Sequence, residues 1–376
     1  VNARLQSLDA FRGFTIAAML LVNNPGDWGH LYGPLAHAEW HGWTFTDWVF
    51  PFFVFISGMA MTLSLSRRAA LGDDKLKLTL TTVRRGAVIV LIGLALNFIP
   101  AFDLDTLRWP GVLQRLGLCT MVAAPLAVYL GWRGQAAVGL GLLVLYSGLM
   151  LGLPVTGADG VLRTGSLLPG QDTASALDRA LMDGHLWAKS KVWDPEGLLS
   201  TLPAVASQIA GLLAGRWLAT RRSAAERTVG FFLAGLVLLW AGQVLGAWNM
   251  PINKNLWTPA FVAATAGWAC LLFGASFWLL DAAPDGALRQ RARRLAQPLV
   301  VFGMNALALF VLSGLVAKLL YTVKVGDASL KAALYAPLAA SGLAPVNASL
   351  LFAVGFVAVF YGVGLFLFKR QWFIKV

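Results

Sequence analysis

Charge is scarce in this sequence. Only 13% of its 376 residues are Asp, Glu, Lys or Arg, about half the share of a soluble chain, which could not cover its surface at that level. Cysteine is almost missing too. Cys119 and Cys270 lie in apolar runs, which excludes a disulfide framework and a CxxC metal site and says nothing of compartment. No internal repeat of the kind that marks the inverted halves of a transporter is visible. What remains is apolar: 58% of the residues are hydrophobic and the mean hydropathy is +0.68. The class is a polytopic, all-α membrane protein.

A helix needs about 20 apolar residues to cross a bilayer core of about 30 Å. Ten runs qualify, at 8–26, 46–66, 84–101, 110–131, 135–154, 196–218, 228–247, 257–280, 296–322 and 347–368, which predicts one bundle of about ten helices over 1–376. Trp28, Trp40, Trp43, Trp48 and Trp372 sit at run edges, where interfacial aromatic belts form. Asp9 and Arg12 interrupt the first run, so it reads as a retained helix and not a cleaved signal peptide.

Thirty cations against eighteen acids give a net charge of +12. In a soluble protein that excess would suggest nucleic acid; here it reports orientation. With a cytoplasmic N-terminus, nineteen of the thirty fall in inside segments and nine outside, while Arg12 and Arg115 stay within spans. The positive-inside rule therefore places both termini in the cytoplasm. One long connection, 155–195, lies outside and carries an amphipathic stretch near Ala174–Met182. Connections of that length usually carry function or are disordered.

All four histidines, His30, His37, His41 and His185, fall on the outer side, the first three within twelve residues. Histidine is the side chain best matched to taking a proton near neutral pH. Asp27, Glu39 and Asp47 share that segment. Asp47, one residue into a span, reads equally as a helix N-terminal acid or as a site carboxylate facing a polar cavity. Zinc is disfavoured: no HExxH or CxxC is present, and His37 and His41, four apart, have a loop context and no third ligand. Arg12 has Asp9 three residues before it, so a local ion pair competes with a grip on phosphate. Arg115, with Gln114 beside it, admits either an ion pair to Asp47 or Asp9 or a contact to substrate. On these residues alone, an anion or sugar transporter ranks ahead of an enzyme.

Longer motifs change that order. Arg4-Leu5-Gln6-Ser7-Leu8-Asp9-Ala10-Phe11-Arg12-Gly13, Val22-Asn23-Asn24, His37-Ala38-Glu39-Trp40-His41-Gly42-Trp43-Thr44 and Asp47-Trp48-Val49-Phe50-Pro51 resemble the heparan-α-glucosaminide N-acetyltransferase family. So do Trp109-Pro110-Gly111-Val112-Leu113-Gln114-Arg115-Leu116-Gly117, Asp194-Pro195-Glu196-Gly197, Pro251-Ile252-Asn253-Lys254-Asn255-Leu256-Trp257 and Gly303-Met304-Asn305. The resemblance runs in order along nearly the whole chain. It implies acetyl transfer from cytoplasmic acetyl-CoA to the amine of a terminal glucosamine or related sugar outside, without a metal. His37 matches the family's catalytic histidine, with Asn23 as an amide donor to the carbonyl oxygen and Asp47 as partner of the base. Arg12, Arg84 and Arg85 are candidates for the donor's phosphates, although orientation alone also explains the last two. Arg115, Gln114, Glu196, Asn255 and Asn305 are candidates for substrate contact.

His41 and Ser313 depart from the lysosomal pattern, and the ten-helix core is expected without that protein's amino-terminal luminal domain. A bacterial inner membrane and a homodimer are what the resemblance suggests. Direct transfer is favoured over an acetyl-histidine route, and O-acetylation of a surface glycan is the nearer rival among enzymes.

Overall fold

A computed structural model describes residues 5–374. Arg4 and Lys375, both counted above with the basic segments, lie outside the described residues. Helix α1 (Gln6–Asn23) leads through an irregular loop to α2 (Phe45–Met61), which a π-helical turn at Thr62–Ser66 joins to α3 (Arg67–Ala70). Then come α4 (Lys75–Phe98), α5 (Val112–Tyr129), α6 (Trp132–Gly152), a small hairpin of β1 (Pro154–Thr156) with β2 (Leu162–Thr164), and α7 (Thr173–Met182). The rest is α8 (Thr201–Leu218), α9 (Ala224–Trp248), α10 (Pro259–Phe277), α11 (Ala287–Met304), α12 (Ala306–Thr322), a second hairpin of β3 (Lys324–Val325) with β4 (Ala328–Ser329), α13 (Leu330–Ala339) and α14 (Pro345–Lys369).

Among the described residues seven helices are long and apolar enough to cross a membrane, or eight if α11 and α12, bent by 73° at Asn305, form one span. The chain is a multi-pass membrane protein. Seven or eight of the ten expected runs pass this test of length and composition, and the others fall short of it for a physical reason. Runs 8–26 and 196–218 correspond to α1 and α8, whose polar side chains lower their hydropathy. Those side chains face protein and not lipid: Ser7, Asp9 and Thr15 in α1 and Ser207 and Gln208 in α8 are all buried. Run 296–322 is broken at Asn305.

Helices α4, α6, α9 and α14 bury less than a third of their most apolar windows, whereas α2, α5 and α10 bury most of theirs. The former make a lipid-facing ring around the latter, with α1 and α8 inside. Phe11, Ile16, Val54, Phe55, Ile56, Leu212, Phe261 and Phe273 form the shared core. Close helix approach depends on glycine. A Cβ at Gly13 would stand 1.7 Å from the Leu299 carbonyl oxygen of α11, and one at Gly303 would stand 1.9 Å from the Asp9 oxygen of α1; without hydrophobic drive in lipid, such backbone contact is what holds helices together. The start of α1 is fixed by Asp281, whose carboxylate accepts from the Gln6 and Ser7 amides at 3.1 and 2.9 Å, a charge well placed at a helix N-terminus.

The connection 155–195 is ordered. Asp172 caps α7 by accepting from Ser175 N at 2.9 Å, which confirms a helix over the amphipathic stretch, and Trp40 donates from Nε1 to the Leu167 oxygen at 2.8 Å. The first histidine loop and the long connection thus lie together at one end of the bundle.

Candidate active site

Asp47 is the third residue of α2, where its carboxylate accepts from the Thr44 amide at 2.9 Å and so closes the helix start. The same carboxylate accepts from the Ala38 amide at 3.1 Å and the Thr44 hydroxyl at 3.2 Å, and its other oxygen meets His37 Nδ1 at 2.6 Å. Asp47 is thus the helix N-terminal acid that one reading of the sequence expected, and the same carboxylate contacts His37. Its side chain is 1% exposed and that of His37 is 47% exposed, so a buried acid holds a ring that reaches solvent. Because a carboxylate only accepts, the proton belongs on Nδ1 and leaves Nε2 as the open acceptor.

Lys254 brings a cation to this pair: its Nζ lies 3.5 Å from His37 Nδ1. Two donors cannot share one protonated nitrogen, and the shorter Asp47 contact is the hydrogen bond. The ammonium acts instead through space on Asp47 and Glu196. Lys254 stands on a tight turn in which Leu256 N donates to Asn253 Oδ1 at 2.9 Å, Trp257 N to the Lys254 oxygen at 3.1 Å and Thr258 N to the Asn253 oxygen at 3.2 Å. Trp257 takes a left-handed backbone, φ 52°, and Gly42 N donates to the Ile252 oxygen at 2.7 Å, which fastens the turn to the histidine loop. Burial pulls the Lys254 ammonium below its ordinary value, against the raising pull of Glu196 and Asp47. His41 Nδ1 faces Asn253 Nδ2 at 3.3 Å, and burial lowers its value.

Behind this pair lies an ionic frame. Arg108 donates to Asp194 at 2.6 and 2.9 Å and to Glu196 at 2.7 Å. Burial disfavours charge on Glu196, but Arg108, Lys254 and Arg115 together hold its carboxyl below the ordinary range. Among the described residues no ion pair joins Arg115 to Asp47 or Asp9. Its guanidinium donates to the Pro195 and Gly197 oxygens at 2.9 and 2.8 Å and to the Ser200 hydroxyl, and it lies 5.1 Å from the Trp257 ring centre. Arg115 therefore pins the Asp194–Gly197 segment. Gln114, Arg115 and Glu196 also line one cavity of about 350 Å³.

The remaining sequence candidates divide. Asn255 is half-buried beside Lys254, and Asn23, the last residue of α1, is exposed. Among the described residues no hydrogen bond joins Asn23 to the His37–Asp47 pair. Toward the opposite end, Arg12 and Arg85 line a second cavity of about 440 Å³ with Gly303, Phe373 and Ile374, while Arg84 is exposed and outside it. Arg12 also lies 3.7 Å from Asp9, so the ion pair and the cavity position coexist. Asn305 is at this end too, donating to the Trp372 oxygen at 3.0 Å and accepting from Ile374 N at 2.9 Å. Among the described residues no three His, Cys, Asp or Glu side chains converge as a metal site requires. Lys254, Arg108 and Asn253 were not singled out from sequence; the one signal was that Asn253 and Lys254 lie inside one of the family-like motifs and Arg108 immediately before another.

A family model described as heparan-alpha-glucosaminide N-acetyltransferase, catalytic, matches residues 4–175, which contain the whole histidine loop, Asp47, Arg108 and Arg115. The mouse protein named heparan-alpha-glucosaminide N-acetyltransferase is 30% identical over 321 residues, 71% of this chain and 48% of its own length. The chain belongs to the heparan-alpha-glucosaminide N-acetyltransferase family. The human protein of that name is 29% identical over 332 residues, 74% of this chain and 49% of its own. The chain thus spans about half the length of the curated relatives it matches. The family identity accounts for the order of motifs along the chain, and the fold brings two of them, the histidine loop and the turn of Lys254, to one place.

Proposed function

We propose that this chain is a transmembrane N-acetyltransferase that moves the acetyl group of cytoplasmic acetyl-CoA to the amine of a glucosamine or related amino sugar on the outer side. The observation that carries the reading is the His37–Asp47 contact of 2.6 Å, beside Lys254, at one end of the bundle. A neutral amine attacks the thioester carbonyl, a C–N bond forms, and the C–S bond breaks to release CoA thiol. His37 Nε2 takes the proton of the amine and passes it to the departing thiolate sulfur, and Asp47 holds the ring and balances the transient imidazolium. The oxyanion needs donors. Asn23 is the family-derived candidate, and Lys254 is added by its distance from His37.

Arg12 and Arg85 suit the phosphates of the donor at the other end, with Arg84 at the surface nearby. Asn305 would serve that cavity by holding the segment 372–374, and the acceptor would meet Glu196, Gln114, Arg115 and Asn255. The same reading places both termini in the cytoplasm, the His37 end in the periplasm of a bacterial inner membrane and all of 1–376 in one acyltransferase domain, with homodimerisation the expected assembly. Direct transfer is favoured because a base role needs no acetyl-histidine reachable from both faces.

The test is product mass spectrometry on protein in nanodiscs with acetyl-CoA and a panel of amino sugars. Wild type yields an N-acetyl product, and His37→Ala abolishes transfer while acetyl-CoA still binds. Full turnover in His37→Ala would remove His37 as base, and acetylation of hydroxyls alone would favour O-acyl transfer.

A further inference from the structure

The cavity beside Arg115 is a poor vessel for a free sugar. Its wall is mostly apolar, with Val90 and Leu94 of α4 on one side and Trp109 at the loop. Val90 and Leu94 are half-buried on a helix that is itself largely lipid-facing, and Trp109 is 43% exposed, with one face stacked on His185 at 4.1 Å. Polar groups come from the opposite wall. Gln114 is 5% exposed and Arg115 1% exposed, and in each a donor nitrogen, Gln114 Nε2 and Arg115 Nε, has no hydrogen-bond partner. Buried donors without acceptors are costly, and both stand behind the cavity wall, not on its surface. Glu196 lines this cavity and its charge also acts on Lys254, so the cavity and the His37 pair share the same ionic surroundings.

We infer that this cavity receives the apolar aglycone of an amphipathic acceptor, an amino sugar carried on an alkyl or lipid chain, and that such glycosides are the preferred substrate class. The inference rests on the acetyl transfer proposed above. The aglycone would lie against Val90, Leu94 and Trp109, with the amino sugar beyond it on the side of Glu196 and the amine toward His37. A membrane-held acceptor also suits a site whose one wall is a lipid-facing helix.

The experiment compares glucosamine with octyl β-glucosaminide, kept below its micellar concentration, on protein in nanodiscs, and adds Leu94→Trp and Val90→Trp to fill the cavity. Burying the chain should raise kcat/KM for the octyl glycoside by about tenfold or more. Either variant should remove that preference while leaving glucosamine turnover within about twofold, since Val90 and Leu94 line the apolar wall that only the aglycone would touch. Equal kcat/KM for the two sugars in wild type, or a preference that survives both variants, overturns the inference. Binding of the unreactive octyl N-acetyl-β-glucosaminide, followed by calorimetry, separates this from the parent reading. If no amine is acetylated but this ligand binds wild type and not the filled variants, the cavity stands and acetyl transfer falls; if it binds all three alike, the cavity assignment falls.

Discussion

Lys254 places an ammonium 3.5 Å from the ring nitrogen that Asp47 already holds. A cation so close to a base cannot help the base gather a proton, but it suits the oxygen of a tetrahedral adduct formed beside that ring. Its turn is locked by three internal hydrogen bonds, so little reorganisation is needed when charge develops. Lys254→Met is expected to lower kcat by about a hundredfold with a small change in KM, the scale seen when one oxyanion donor is removed, and Lys254→Arg to restore part of it. Steady-state kinetics with acetyl-CoA check this; unchanged kcat in Lys254→Met would make the lysine a partner of Glu196 only. Asp47 was legible in sequence because an acid at a span start is costly without a partner. Lys254 was not, because 217 residues separate it from His37.

At the scale of elements, α7 and the segment after it show how the ionic frame is held. Asp178 of α7 accepts from Leu198 N at 2.9 Å, and a Cβ at Gly197 would lie 1.9 Å from its carboxylate, so a larger residue there would displace the carboxylate from that position. Burial pushes the Asp178 carboxyl up to about 7, with Asp194 adding to the rise and the Leu198 amide opposing it. A raised carboxyl favours the folded state below the ordinary value of 3.8, and that contribution is lost as pH rises from there through about 7. Asp178→Asn, which keeps the acceptor oxygen, should therefore flatten the fall of Tm between pH 4 and pH 7.5, with a gain of at most about 4 kcal/mol at the upper end. Thermal unfolding of both proteins across that range decides it, and parallel curves would refute a neutral Asp178. The helix of α7 was readable from amphipathic spacing. The order of the rest of 155–195 was not, since Trp40, Arg108 and Arg115 that tie it down come from distant parts of the chain.

For the whole molecule, the two ends differ in chemistry: a histidine–carboxylate end and an end where Arg12 and Arg85 share a cavity. If each faces its own compartment, transfer is sided. In right-side-out vesicles, acetyl-CoA loaded inside should yield acetylated amino sugar outside, whereas acetyl-CoA added only outside should yield little. Equal rates from the two arrangements would place both substrates on one face, and sugar accumulation without acetyl-CoA would mark a transporter.

Composition alone determined that the chain lives in a membrane, because 13% charge cannot clothe a soluble surface. Local sequence also determined most helices and singled out His37 as a candidate, since hydropathy, helix-start chemistry and motif order are properties of neighbours along the chain. Which helices line the interior was decided only in three dimensions: polar side chains lower the hydropathy of α1 and α8, and only the packing shows that Ser7, Asp9, Thr15, Ser207 and Gln208 are covered by other helices. The same holds for the fates of the arginines. Arg115 became a clamp on two carbonyls and Arg12 part of a cavity wall, outcomes set by the long-range packing that brings a guanidinium to its acceptors and that no short stretch of sequence encodes.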